Sequence, residues 1–267
     1  MEALGMYLLK RFLDNADVFL LVFIRMIAFF LILPIFSGNN LNVFAKLTFA
    51  ASAAFLITAS GKVQCAVPVN TVPGCALLAV REFLTGFIMG FAVYLAFNLV
   101  YFAGQLLDFQ IGFSMVSVFD PVTQIQVPII GNLFFLTLTA MLVQTGGLHA
   151  FLSAVFFSYD IIPIGRAVIL DNPALTRLMV GLMTDFIAIA VQTALPITGA
   201  IMVIDIAMGL LVKAAPQMNI FVVGMPIKLL AGLALIYMMT PILSNAYNTV
   251  FDLAYSALRG VMKAMAG

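Results

Sequence analysis

From Val18 to Phe36 the chain reads VFLLVFIRMIAFFLILPIF, a run whose one charge is Arg25. Its length is roughly that of a helix crossing a hydrocarbon core about 30 Å thick. Comparable runs recur along the sequence, and 64% of its 267 residues are hydrophobic against 9% charged. A soluble core can hold a helix that is apolar all round, but a chain this short cannot hide several without a charged outer layer. No such layer is present, and the mean hydropathy is +1.18. The expected fold is an all-α membrane protein.

The formal net charge is +1 and the basic residues are scattered singly, which excludes the electrostatic footprint of a nucleic-acid binder. Glu2, Lys10, Arg11, Asp14 and Asp17 mark the N-terminal stretch, and no convincing small-residue cleavage site follows, so the first run is expected to be retained. Loop Lys and Arg residues are too few to orient the chain. Cys65 and Cys75 share a Pro- and Val-rich stretch; they pair if it faces an oxidising compartment and are otherwise two inert thiols. One histidine, His149, and two cysteines make no metal-ligand cluster. Phosphate loop, nucleophile elbow and HExxH pair are all missing, so neither catalytic residue, metal nor cofactor is expected.

A second, weaker run spans residues 41–59, and its Ala-rich middle and Lys46 suggest burial against protein. A loop follows over 60–75, then a long helix from Ala76 to Ala103. Glu82, Gly86, Gly90, Tyr94 and Asn98 recur every fourth residue there, which gathers them into one stripe expected to face another helix. Gly86 and Gly90 form a small-xxx-small pair that permits close backbone approach. Residues 129–143 suggest a further helix, with Gly146 and Gly147 turning the chain into a shorter helix that stops at Pro163. Asp171 or Asn172 can cap a helix that has Pro173 in its first turn. The apolar run after it reaches about Ala214, far longer than one crossing, and is either a hairpin broken near Pro196 and Gly199 or one kinked helix. The last span covers Ile220 to Leu243, and the tail beyond it has the spacing of an amphipathic interfacial or partner-binding helix.

Arg25, Lys46, Arg81, Glu82, Asp185, Asp205 and Lys228 lie in or beside apolar runs. A charge at the bilayer centre costs about 2.5 to 3.5 kcal/mol even on the lenient insertion scale, so these positions should face protein or water. Asp185 is the best candidate for a functional charge. It shares a helix face with Gln192 to within about 20°, whereas Asp205 falls nearly opposite, which argues against a proton wire. The plainer alternative pairs or solvates Arg81 with Glu82, and Asp205 with Lys213, near helix ends. The sixteen methionines fit surfaces that open and reseal, or plain core filling.

Residues 104–128, GQLLDFQIGFSMVSVFDPVTQIQVP, are too polar to span and too apolar for an ordinary exposed loop. Phe109, Phe113, Met115, Val116, Val118 and Phe119 stand beside Gly104, Gly112 and Ser114, a mixture of bulky tips and pliable backbone that suits a pore plug or a re-entrant packing loop.

The segment KAAPQMNIFVVGMPIKLLAGL, with Pro216, Gln217, Asn219, Pro226, Ile227 and Lys228, closely resembles the type III secretion export-apparatus family in its flagellar, FliR-like (SctT-like) branch. GQLLDFQIGFSMVSVFDP resembles that family's central loop, and the order of apolar runs agrees over essentially the whole chain. The resemblance implies kinked helices and hairpins of the FliPQR export-gate type. It implies a FliP-like part over about 1–170, holding the central loop 104–128, and a FliQ-like hairpin part over about 171–267. It further implies one copy joined to FliP and FliQ, with FlhB at the entrance, in a gate at the centre of the basal body that lies largely above the membrane plane. Gln110, Ile111, Gly112, Phe113, Ser114, Met115, Val116, Ser117 and Val118 would then be the plug that unfolded export substrates displace. A secondary transporter of a small ion or solute is the competing reading, though no internal repeat supports it; a purely structural scaffold is the third.

Overall fold

The computed structural model describes residues 16–37, 42–61, 63, 72–115, 128–217 and 219–267. Among them the regular structure is helical: α1 Ala16–Ile32, α2 Pro34–Ser37, α3 Val43–Ser60, α4 Val72–Ile111, α5 Ile129–Gln144, α6 Gly147–Ile161, α7 Pro173–Ala214 and α8 Ile220–Ala266, with a 3₁₀ turn at Phe113–Met115. Four stretches are long and apolar enough to cross a bilayer: Val43–Ser60, Pro73–Ile111, Pro173–Ala214 and Val222–Thr240. The pair α5 and α6, bent by 73° at Gly146, makes a fifth if counted as one broken span. Gly146 takes the left-handed conformation that this bend requires, at φ 72°. The chain is an all-α membrane protein.

Two compact units divide it. One comprises residues 1–95, 146–183 and 253–267; the other comprises 96–145 and 184–252.

In the first unit α1 is the innermost helix. Leu21, Val22, Met26, Phe29 and Phe30 are almost wholly buried, so much of its apolar surface serves protein packing. For α3 the sequence suggested burial, and the structure differs. Ala50, Ala53, Ala54 and Ile57 do pack inward, where α3 meets α1 and Phe49 lies edge-on to Phe30, but only 22% of its span is buried. Small residues mark the face of close approach, while Phe44, Phe55 and Leu56 point outward. Asn42 caps α3 through the Phe44 N–H, and Gly61 closes it in the left-handed conformation.

The first part of the stripe on α4, Glu82, Gly86 and Gly90, meets α1. A β-carbon on Gly86 would overlap the Arg25 carbonyl, and one on Gly90 would lie 3.0 Å from the Phe29 carbonyl oxygen. In the second unit the same device recurs where α4 crosses α5, since a β-carbon on Gly104 would overlap the Gly131 backbone.

Between hairpin and single helix, the structure chooses a single α7, with Pro196 inside it. Asn172, rather than Asp171, caps its start: Oδ1 accepts from the Leu175 N–H, while Nδ2 donates to the carbonyls of Val168 and Ala264. Helix α8 likewise continues through Pro241 to Ala266, so the tail is no separate interfacial helix. Its apolar face is used inside this chain. Ala254, Ala257, Leu258, Val261 and Met265 are buried, the Val168 N–H donates to the Met265 carbonyl, and Gly260 faces Leu178.

These contacts sort the helical glycines. Gly86→Ala and Gly104→Ala should lower the thermal midpoint of the detergent-solubilised chain, because backbone lies where the methyl must go. Gly199→Ala and Gly209→Ala, with open space around them, should hold or raise it, since helix propensity adds up to about 1 kcal/mol of stability. Differential scanning fluorimetry checks the order; a Gly104→Ala chain as stable as the original would refute the packing.

Candidate functional site

Arg81 and Glu82 are neighbours on α4, so about 100° of helix rotation separates them. Glu82 consequently points into the first unit and is fully buried, while Arg81 stays at the surface. Glu82 Oε2 accepts from Arg25 Nε at 2.6 Å, and neither side chain is exposed. Arg25 Nη1 also donates to Ser158 Oγ at 3.3 Å and to the Ile162 carbonyl at 3.1 Å. Its guanidinium lies over the Tyr159 ring, 4.3 Å from the centroid, and the Tyr159 hydroxyl donates to the Val22 carbonyl. Arg25 Nη2 is the one buried side-chain polar atom among the described residues with no hydrogen-bond partner.

The second oxygen of Glu82 reaches the connection between α6 and α7. There the Arg166 N–H donates to the Pro163 carbonyl, and Gly165 stands at φ 81°, which is the pattern of a type II turn. Glu82 Oε1 accepts from the Gly165 N–H at 2.9 Å, and Arg81 Nη1 donates to the Gly165 carbonyl at 3.3 Å. Two adjacent side chains of α4 thus hold both polar groups of one glycine. An unmatched buried charge is expensive, and this one is closed by an ion pair, a hydroxyl, a carbonyl and an aromatic face.

In the second unit α7 and α8 form a hairpin about the turn at Pro216 and Gln217. Asp205 pairs with Lys228 across it at 2.7 Å, with side chains 38% and 22% exposed, and not with Lys213. Asn219 starts α8 by accepting the N–H groups of Val222 and Val223 on its carbonyl, and Pro226 lies exposed within it.

A third charge sits at the edge of the central segment. Helix α5 has Pro128 at its N-cap and no side-chain cap of its own. Asp108, from the last turns of α4, supplies one: Oδ1 and Oδ2 both lie 3.0 Å from the Ile130 N–H, and Oδ2 is 3.1 Å from the Gly131 N–H. A carboxylate at a helix N-terminus satisfies orphan donors and the positive end of the dipole together. Asp108 is 2% exposed. It therefore pins the two ends of the stretch between Gly112 and Pro128 to one place. Gly112 turns away at φ 104°, and Ile111 packs onto the Gly232 backbone of α8.

Of the expected plug residues, Gln110 and Ile111 end α4, Gly112 turns, and Phe113 to Met115 make the 3₁₀ turn; Val116, Ser117 and Val118 lie outside the described residues, as does Cys65. Asp185 is exposed on α7, and its carboxylate has no hydrogen bond or ion pair among the described residues. Sequence reasoning marked Arg25 as anomalous without naming its partner, and passed over Asp108, Ser158 and Tyr159. For Asp108 the spacing carries no signal, since Asp120 stands nearer to the helix that opens after Pro128. His149 is exposed on α6, and no group of metal-ligand residues forms among the described residues.

Removing one partner of the buried pair strands the other, so Arg25→Met should cost about 3–5 kcal/mol, and Arg25→Met with Glu82→Leu should recover part of it. The thermal midpoint in detergent measures both, and an Arg25→Met chain of unchanged stability would refute the network.

The family described as bacterial export proteins, family 1, matches residues 16–254. The chain is 27% identical over 263 residues to flagellar biosynthetic protein FliR of Bacillus subtilis, covering 95% of this chain and 98% of that protein. It is 24% identical over 257 residues to the Escherichia coli protein of the same name, with 95% of each covered. Over 182 residues it is 28% identical to secretion system apparatus protein SsaT of Salmonella typhimurium, covering 68% of this chain and 70% of that protein. The family match begins at the first residue of α1 and ends in the last turns of α8, and the chain belongs to the bacterial export proteins, family 1.

Proposed function

We propose that this chain is a core subunit of a flagellar type III protein export gate in the bacterial inner membrane. It contributes one copy to a complex with FliP and FliQ, with FlhB at the entrance and the gate projecting to the periplasmic side. Unfolded flagellar proteins pass through the channel they form. In this reading residues 1–170 and 171–267 are the FliP-like and FliQ-like parts, and residues 110–118 close the channel as a plug.

The observation that carries the reading is the tether at Asp108. A plug must leave the channel without pulling apart the helices that carry it, so both of its ends need a fixed base. A buried carboxylate of α4 holding the first N–H groups of α5 provides one, and the left-handed Gly112 lets the chain leave α4 sharply. Surface chemistry supports assembly. Only 17% of the α7 span and 17% of the Val222–Thr240 span are buried within this chain. Asp185, with no partner among the described residues, sits among exposed Val180, Met183 and Ile187. A lone carboxylate on such a face is costly in lipid and reasonable against a partner subunit that offers a donor. The pair Asp205 and Lys228, with the motif residues Pro216, Gln217, Asn219 and Pro226, fixes the hairpin that would dock with FliQ.

Deleting residues 110–116 in cells that make the whole apparatus should render the inner membrane leaky to small solutes, while the complex still assembles. Dye uptake together with co-purification of FliP and FliQ measures this, and an intact complex with unchanged permeability would count against a plug. Asp108→Asn should give a weaker leak, since the amide keeps one acceptor oxygen and loses the charge.

A further inference from the structure

The turn at Gly165 and the first turns of α4 wall a cavity of about 560 Å³ that the export reading does not use. Two guanidinium groups line it, Arg81 and Arg166, and among the described residues no side-chain carboxylate does. The nearest acidic residue in sequence, Glu82, is turned inward, with its oxygens taken by Arg25 and Gly165. Asp160 lines a separate, smaller cavity of about 340 Å³ with Arg259 and Lys263. Both arginines line this one cavity, and Arg81 is anchored there by donating to the carbonyl of Gly165, the residue before Arg166. Two guanidiniums lining one cavity, with no side-chain carboxylate among the described lining residues, suit an anion.

The rest of the wall says which kind. Leu77 and Val80 on α4 and Leu170 beyond the turn are exposed at its edge, Leu170 to 79%. Free phosphate would leave this apolar rim in water, whereas a phosphodiester carrying acyl chains would cover it. Arg81 lies about 12 Å along the helix from Pro73, where the apolar span of α4 begins, so apolar helix surface flanks the guanidinium on the same element. Guanidinium forks bind phosphate oxygens in pairs, and basic pockets between membrane helices suit anionic headgroups. We propose that this cavity binds the headgroup of an anionic phospholipid, its phosphate between Arg81 and Arg166 and its acyl chains along Leu77 and Val80.

The test is native mass spectrometry of the full chain in detergent, titrated with dioleoyl phosphatidylglycerol or dioleoyl phosphatidylcholine. The original chain should take the first lipid of the anionic kind more readily by about fivefold or more, the size expected when charge-assisted bonds distinguish the headgroups. Arg81→Gln with Arg166→Gln should abolish the preference, whereas Arg177→Gln, at an exposed arginine away from the cavity, should keep it. Three results would overturn the proposal: equal binding of the two lipids by the original chain, a preference that survives the double substitution, or displacement of the lipid by millimolar inorganic phosphate. The first also covers a site filled only by a partner subunit's carboxylate, and it needs no variant to fold.

Discussion

A charge pair buried in an apolar chain is the interaction on which the first unit depends. Arg25 stands in the middle of the most buried helix, and in a hydrocarbon-like interior it would be among the most expensive residues to place. Glu82 matches it, and the match has consequences for the backbone. Arg25 donates to Ser158 and Ile162, while Glu82 accepts from Gly165. Helices α1, α4 and α6 and the turn after α6 are thus fixed by two side chains. Dispersion packing alone leaves apolar helices free to slide, since lipid competes equally for their surfaces. Directional bonds to a fork-shaped cation remove that freedom.

The same economy appears in the second unit with different chemistry. Asp108 caps a helix other than its own, and Asp205 with Lys228 staples a hairpin about a short turn. Two of the three polar contacts sit beside small residues that bring backbones together: Gly86 and Gly90 next to Arg25, and Gly104 against Gly131 next to Asp108. Glycine permits the approach and the charge fixes its register. What remains outward is apolar side chain on α3, α7 and α8, a surface made for lipid and for other subunits of a membrane complex. Asp185 interrupts that surface and, in the proposed gate, meets one of those subunits.

Much of the fold was legible in the sequence because helix-length apolar runs have few alternatives in a membrane. Starts and stops near Asn42, Gly61, Gly146 and Asn172 follow ordinary cap chemistry. The failures share a cause. Hydropathy measures how apolar a segment is and cannot tell lipid from protein as its neighbour, so α1 and α3 exchanged their expected environments. The sequence leaves a hairpin or one kinked helix open at Pro196 and ends the last span at Leu243, yet both long helices run on, because a missing N–H within a long helix is a small loss against the many that remain. Charge partners were the least legible part. Arg25 and Glu82 lie 57 residues apart and Asp108 and Ile130 lie 22 apart, separations that no helical period relates. The family was legible from a short stretch of fixed polar and proline positions around the turn between α7 and α8.

The most direct test of the account is the composition of the complex that holds this chain. Native mass spectrometry of the detergent-extracted, tagged chain, expressed with the neighbouring genes of its operon, should give masses that fit one copy bound to several copies of two small apolar partners. A lone monomer or a homodimer under conditions that preserve such complexes would contradict the gate and favour a self-sufficient transporter.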